Sequence, residues 1–226
     1  VKTIKRIFLV RHGESEFNVN PVIGQTRADH SIKLTTRGQE QAELSGSFLL
    51  EWLNSNVSPA NYGRIRVWTS PYVRTRQTSK AVSSAVRGWI LDIRENILLC
   101  EQQFGLFDGI PVHELHNKFP EEAAYYDKCQ RDNGRFWGRF PLGESRFDVA
   151  TRIHQSFGTL HRDAERHGID NVIIICHGVT MRAFLMMWFH LTPEWFDDEP
   201  NPANCAIRLI EGGEDKGYIF NGFETE

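Results

Sequence analysis

Two apolar runs end on a histidine followed by a glycine. Phe8-Leu9-Val10 leads into Arg11-His12-Gly13, and the run 172–176 leads into His177-Gly178. A third run, closing on Trp68, delivers Thr69-Ser70-Pro71 and then Arg74. Taken singly, a histidine after a strand reads as a loop residue and an arginine as a surface charge. Four such residues at strand ends read differently, because loops leaving the carboxyl ends of an open parallel sheet gather in one crevice. Arg11, His12, Arg74 and His177 are therefore expected to converge from three distant segments on an anion site, with planar guanidinium forks matched to a phosphate.

The elements that must position them alternate along the chain. Residues 7–10, 64–68 and 89–93 read as strands; 172–176 is apolar throughout and reads as central and parallel. Helices are expected from 36 to about 53, with Leu44, Phe48 and Trp52 inward and Thr35 or Thr36 as cap, and from Ser70-Pro71 to about 86, with Thr78, Ala81, Val82 and Ala85 inward. The stretch 144–166 carries Phe147, Ala150, Ile153, Phe157, Leu160 and Ala164 at three- and four-residue spacing, the best amphipathic helix of the chain. A further helix runs from His177-Gly178 through His190, and 205–210 with 218–220 close the sheet at an edge. Between about 100 and 143 the regularity fails: glycines and prolines interrupt it on both sides of a helix-like piece near 121–128. With no repeat and no linker, 1–226 reads as one α/β domain.

Composition narrows the partners. The chain has 226 residues, 40% of them hydrophobic and 24% charged, with a net charge of −3. That balance gives no reason to expect nucleic acid or an anionic membrane as partner, and a core of this size needs neither disulfide nor metal. Cys100, Cys129, Cys176 and Cys205 form no C-x-x-C pair. No apolar run approaches the ~18 residues of a membrane span, and no leader is visible; a cytoplasmic protein is expected. No feature specifies an oligomeric state.

LVRHGESEFN, TSPYVRTRQT, the CEQQFG region and CHGVTMRAFL, in that order, resemble the histidine phosphatase superfamily in its phosphoglycerate-mutase-like branch. The resemblance covers about residues 8–210. It implies a three-layer α/β sandwich with a mostly parallel central sheet, and a substrate lid at about 100–143. It implies that His12 takes the phosphoryl group, that Arg11, Arg74 and His177 bind the transferring phosphate, that Asn18 adds a contact, and that Glu101 protonates the leaving group. A small phosphorylated substrate follows. For the acid, Asp108, Glu14 and Glu16 are the alternatives; motif position favours Glu101.

The chemistry asks for these types. An attacking imidazole must be neutral with one nitrogen free, and nearby arginines lower a histidine's pKa. Charge spreading over the phosphoryl oxygens is met by guanidinium forks. A carboxyl that gives a proton and later takes one from water works best when raised toward neutrality. His113-Glu114-Leu115-His116 has its histidines three apart rather than the four of a zinc-protease helix, so it reads as an exposed turn; no metal and no cofactor are expected.

Hydrolysis or mutase transfer is the remaining choice. The segment after Glu101 lacks the adjacent arginines that the mutases use to grip a second anionic group, although Arg131, Arg135 and Arg139 stand within reach, and Ile23-Gly24 departs from the mutases' threonine–glycine pair. GRFPLGES and RAFLMMWFHLTPEWF are more similar to the mutase-like phosphatases of plants and fungi. A metal-independent phosphomonoesterase working through a phosphohistidine is the leading reading, a phosphoglycerate-type mutase the second, and an inactive phosphate-binding scaffold the third. Phe184, Trp188, Phe189, Trp195 and Phe196 read as core; Phe104, Phe107, Phe136, Trp137 and Phe140 are divided between packing and an aromatic lid.

Overall fold

The structure, a computed structural model, describes residues 4–224. Its strands are β1 (Arg6–Arg11), β2 (Ile65–Thr69), β3 (Ile90–Glu95), β4 (Asn171–Cys176), β5 (Ile207–Glu211) and β6 (Glu214–Phe220). Its helices are α1 (Glu16–Val19), α2 (Thr36–Asn56), α3 (Val73–Ala85), α4 (Leu115–Lys118), α5 (Pro120–Asn133), α6 (Arg146–His167), α7 (Gly178–Phe189) and α8 (Pro193–Asp198). The sheet order is β3-β2-β4-β1-β5-β6. The first four strands in that order run parallel, and β5 and β6 add antiparallel pairs at one edge. A mixed α/β fold with a mostly parallel sheet is thus present, and β4 is its buried centre.

Alternating side chains divide the sheet between two cores, as the two-residue period requires. Leu9, Ile174 and Cys176 face α6 and α7, together with Val149, Ile153, Leu160 and Phe184. Phe8, Val10, Ile173 and Ile175 face α2 and α3, with Leu49, Leu53 and Val82. Helices on both faces of one sheet give the three layers.

Two helix faces differ from expectation. In α2 the buried side is Gly38, Gln41, Ala42, Ser45, Gly46, Leu49 and Leu53, whereas Leu44 is 57% exposed. A four-residue spacing drifts about 40° per step around a helix, so Leu44 and Trp52 cannot share one narrow face. The side toward α3 is lined by small residues: a Cβ on Gly46 would stand 3.0 Å from Ala85 Cβ. In α6, Phe147 at the first turn is 47% exposed, while Ala150, Ile153, Leu160 and Ala164 are buried as expected. That helix opens on a reciprocal cap between Ser145 and Asp148 and closes on Gly168 in the left-handed conformation.

Candidate active site

Register brings the two histidines together. Arg11 lies opposite Cys176 across the β1–β4 pair, so the residues after each leave the sheet side by side, and His12 N–H donates to Cys176 O at 3.1 Å. The rings of His12 and His177 stand 5.2 Å apart. Both are buried, at 4% and 0% exposure. Arg74, in the first turn of α3, completes the group at 4%.

His12 is set up as a neutral base. Its Nδ1 lies 2.7 Å from the carbonyl oxygen of Gly13, which can only accept, so Nδ1 carries the proton and Nε2 keeps a lone pair. Burial, then the charges of Arg74 and Arg11, hold its pKa well below the ordinary histidine value. His177 is held low by the same causes, burial first. Its Nε2 shares a hydrogen bond with Ser70 Oγ at 2.9 Å, and its buried Nδ1 has no partner among the described residues.

The loop that carries His12 is fixed by close packing. A Cβ on Gly13 would stand 2.3 Å from Gly38 O, and a Cβ on Gly38 would stand 1.9 Å from Glu14 O. The first turn of α2 therefore presses backbone to backbone on the histidine loop, which only two glycines permit. On the other side, Asn204 Nδ2 donates to His12 O at 3.1 Å and to Asn18 Oδ1 at 3.3 Å. Asn18 Oδ1 also accepts from Ser15 N–H at 2.9 Å, which turns the amide nitrogen into the group Asn18 can offer a ligand.

The two arginines differ. Arg11 donates through one terminal nitrogen to Pro202 O at 2.5 Å, and its buried Nε has no hydrogen-bond partner among the described residues. Arg74 grips the Asp29 carboxylate with both terminal nitrogens, at 2.6 and 3.2 Å. Asp29 thus orients the fork and offsets one charge.

Glu101 stands on the same cavity, partly buried. Burial raises its carboxyl pKa, opposed by the Gln102 N–H, 3.0 Å from Oε1, and by the charges of Arg74 and Arg11. Asp108 also lines the cavity, and burial with the nearby Asp29 charge pushes it up to about 6. Glu14 and Glu16 do not line it: Glu14 is buried and accepts from Thr35 Oγ1 at 2.7 Å, and Glu16 pairs with Arg27 at 2.6 Å.

The cavity holds about 380 Å³. Arg11, His12 and Arg74 stand at one part of its wall, and Arg135, Arg146 and Arg182 add three more guanidiniums. Arg146 is paired with Asp197. Among the described residues Arg182 donates to two carbonyls, Glu199 O at 3.1 Å and Phe196 O at 3.4 Å, and its buried Nε has no hydrogen-bond partner. Burial and the mutual repulsion of these arginines lower the pKa of both Arg146 and Arg182. Phe104, Phe140 and Tyr126 form an aromatic wall, with Tyr126 stacked on Phe140 at 4.7 Å between ring centres.

A family model for the histidine phosphatase superfamily (branch 1) matches residues 7–221. The chain belongs to that superfamily. Among its relatives, the phosphoglycerate mutase-like protein AT74 of Arabidopsis thaliana is 36% identical, over 98% of this chain and 69% of its own length. The broad-range acid phosphatase DET1 of Saccharomyces cerevisiae is 27% identical, over 91% of this chain and 84% of its own. In fold, a putative alpha-ribazole-5'-P phosphatase from Escherichia coli superposes with a TM-score of 0.70 at 18% identity, covering 99% of both chains. A mycobacterial glucosyl-3-phosphoglycerate phosphatase gives 0.67 at 17% identity, covering 98% of this chain and all of its own.

For this histidine phosphatase, six side chains singled out in the sequence, Arg11, His12, Asn18, Arg74, Glu101 and His177, are brought to one end of the sheet. His177 is the exception in placement, since it lies behind His12 rather than on the cavity wall. Of the three arginines left open as a second anionic grip, only Arg135 lines the cavity. Arg131 and Arg139 do turn away, 70% and 64% exposed beside Asp132 and Asp148, but Arg135 is joined by Arg146 and Arg182. Asp29, Asn204, Arg146 and Arg182 were missed. Arg182 lies inside CHGVTMRAFL, where a lone cation among apolar helix residues was the available signal. His113 and His116 are 82% and 61% exposed, each beside its own carboxylate, Glu114 and Asp127. Phe184 and Phe196 are core; Phe107 and Phe136 pack, Trp137 is exposed, and Phe104 and Phe140 line the cavity.

Proposed function

We propose that this histidine phosphatase hydrolyses phosphate monoesters without a metal, through a phosphohistidine on His12. The observation that carries the reading is the Nδ1–H donation to Gly13 O, which leaves Nε2 as a neutral nucleophile beside two guanidiniums. In the first step Nε2 bonds to phosphorus, the ester P–O bond breaks, and the protonated Glu101 gives its proton to the departing oxygen. Arg11, Arg74 and the Asn18 amide meet the charge on the phosphoryl oxygens, while His177 packs edge-on against His12. In the second step water attacks the phosphohistidine, Glu101 takes its proton, and inorganic phosphate leaves with His12 restored.

The cavity's second group of guanidiniums, Arg135, Arg146 and Arg182, supports a substrate class: a phosphate ester bearing a second anionic group, with an organic body that lies against the aromatic wall of Phe104, Phe140 and Tyr126. That same group of guanidiniums is the observation that favours the second reading, a mutase, because retaining a bisphosphorylated intermediate needs a second grip. One domain with residues 100–143 as its lid fits both readings. Four unpaired thiols, two of them buried, fit a reducing compartment such as the cytoplasm.

Purified protein is expected to release phosphate from an aryl phosphate in EDTA and to yield an acid-labile phosphoprotein on rapid quenching. Absence of both would leave a phosphate-binding scaffold. Interconversion of phosphoglycerates after priming with bisphosphoglycerate, faster than phosphate release, would establish the mutase.

A further inference from the structure

Residues 100–104 belong to no helix or strand, yet they carry Glu101. One guanidinium makes several of the bonds that hold them. Arg152, on α6, donates through Nε and one terminal nitrogen to both carboxylate oxygens of Glu144, at 2.9 and 3.0 Å. Its remaining donors reach Leu98 O at 2.7 Å, Cys100 O at 2.8 Å and Glu101 O at 3.0 Å. All five N–H groups of the guanidinium are thereby used.

The carboxylate end of the pair grips the same segment from its other side. Glu144 Oε2 accepts from Gln103 N–H at 3.0 Å, and its backbone N–H donates to Gln103 O at 2.8 Å. Thr180, in the first turn of the helix that follows His177, donates to Cys100 O at 2.7 Å. The backbone on both sides of Glu101 is therefore tied to Arg152 and Glu144 by charge-assisted bonds, and to α7 by the neutral Thr180 hydroxyl, in place of a secondary-structure ladder.

We propose that the Arg152–Glu144 pair is a positioning device for Glu101, setting the place from which its carboxyl meets the leaving-group oxygen. A partly buried ion pair is a poor source of net stability, since its desolvation cost offsets the attraction. What it supplies is geometry: a planar fork fixes three backbone carbonyls, those of Leu98, Cys100 and Glu101, where an apolar contact would let them slide. Arg152 also adds to the positive field that keeps His177 neutral. Neither residue touches the cavity.

The inference rests on Glu101 being the acid, and the experiment separates the two. kcat/KM is measured for p-nitrophenyl phosphate, whose leaving group needs little protonation, and for an alkyl phosphate, whose leaving group needs it fully. Glu101→Gln is expected to lower the alkyl value by about 100-fold or more and the aryl value far less. Arg152→Lys, Arg152→Met and Glu144→Gln are expected to copy that bias, with an alkyl loss of about 10- to 100-fold against less than about 3-fold for the aryl ester. The alkaline limb of the alkyl profile is expected to move to lower pH, because a carboxyl that slips toward water loses the burial that raises it.

Equal losses on both esters with an unmoved limb would overturn the positioning role, whatever the melting temperature does. If Glu101→Gln shows no bias, the acid assignment falls and the clamp with it; if it shows the bias and the clamp variants do not, the clamp alone falls. Should Arg152→Met fail to fold, Arg152→Lys and Glu144→Gln give the same reading.

Discussion

The strand-end part of the cavity and the part walled by residues 104–146 are built on different principles. At the strand ends, position is inherited from the sheet: Arg11 pairs with Cys176, and the next residue of each strand is a histidine. Gly13 and Gly38 leave no space for the loop to shift. In the other part, Tyr126 comes from α5 and Arg135 and Phe140 from the segment after it, and a run of ring contacts links Phe104, Phe107, Tyr126 and Phe140. The difference separates two tasks. Phosphoryl transfer, which is the same for every ester, is held on the rigid part; recognition of whatever the phosphate is attached to falls to the part that can be rebuilt without disturbing the sheet.

If that division holds, damage at the two parts differs in kind. His12→Asn is expected to lower kcat/KM by at least about 10⁴-fold on every ester and to abolish acid-labile labelling, because the neighbouring imidazole, His177, does not line the cavity. Labelling that survives in this variant would place the nucleophile elsewhere. Arg182→Met is expected to be selective. For an ester with a second anionic group KM should rise about 10- to 100-fold, the worth of one or two charge-assisted hydrogen bonds, with little change for p-nitrophenyl phosphate. Equal losses on both esters would erase the division between transfer and recognition.

The same division explains what could be read in the sequence. Strand ends are legible because an apolar run that stops on a charged residue marks both an element and its exit, so Arg11, His12, Arg74 and His177 could be placed together before any coordinates. Glu101 and Asn18 were legible only through the family resemblance, since neither follows a periodic element. Asp29 was not legible: it opens a single 3-10 turn of three residues, and its partner Arg74 is 45 positions away. Arg146 and Arg182 sit on helices whose apolar neighbours drew attention to packing. On α2, side-chain size outweighed hydrophobicity, because close approach to α3 selects Gly46, while Leu44 is left exposed.

A smaller effect tests the rigid part by itself. Gly38→Ala adds one methyl group at a place where it would stand 1.9 Å from Glu14 O. Backbone must move, at a cost of roughly 1–3 kcal/mol of stability. Because the displaced backbone leads straight to His12, turnover should fall on all esters alike. A variant of native stability and activity in a denaturant titration and a phosphate-release assay would show that the seam is looser than its geometry.

The smallest effect is in the pH dependence of stability, where the two parts carry opposite signs. His12 is held well below the ordinary histidine value, so between the unfolded value near 6.5 and its folded one the unfolded chain binds a proton that the native protein refuses. Its contribution is present above pH ~6.5 and is lost as pH falls, with a slope of up to about 1.4 kcal/mol per pH unit. Asp108, carried by the irregular segment, is raised to about 6, so the native protein holds a proton that the unfolded chain has released. Its contribution is full below the unfolded value near 4 and is lost as pH rises through about 6. His12→Asn should therefore flatten the fall in stability on the acid side of pH 6.5. Asp108→Asn should stabilise the protein at pH 7 by on the order of 1 kcal/mol, an advantage that shrinks toward pH 4. Urea titrations at half-unit steps from pH 4 to 7.5 would read both; parallel curves for the two variants would mean that neither site carries the charge state its surroundings impose.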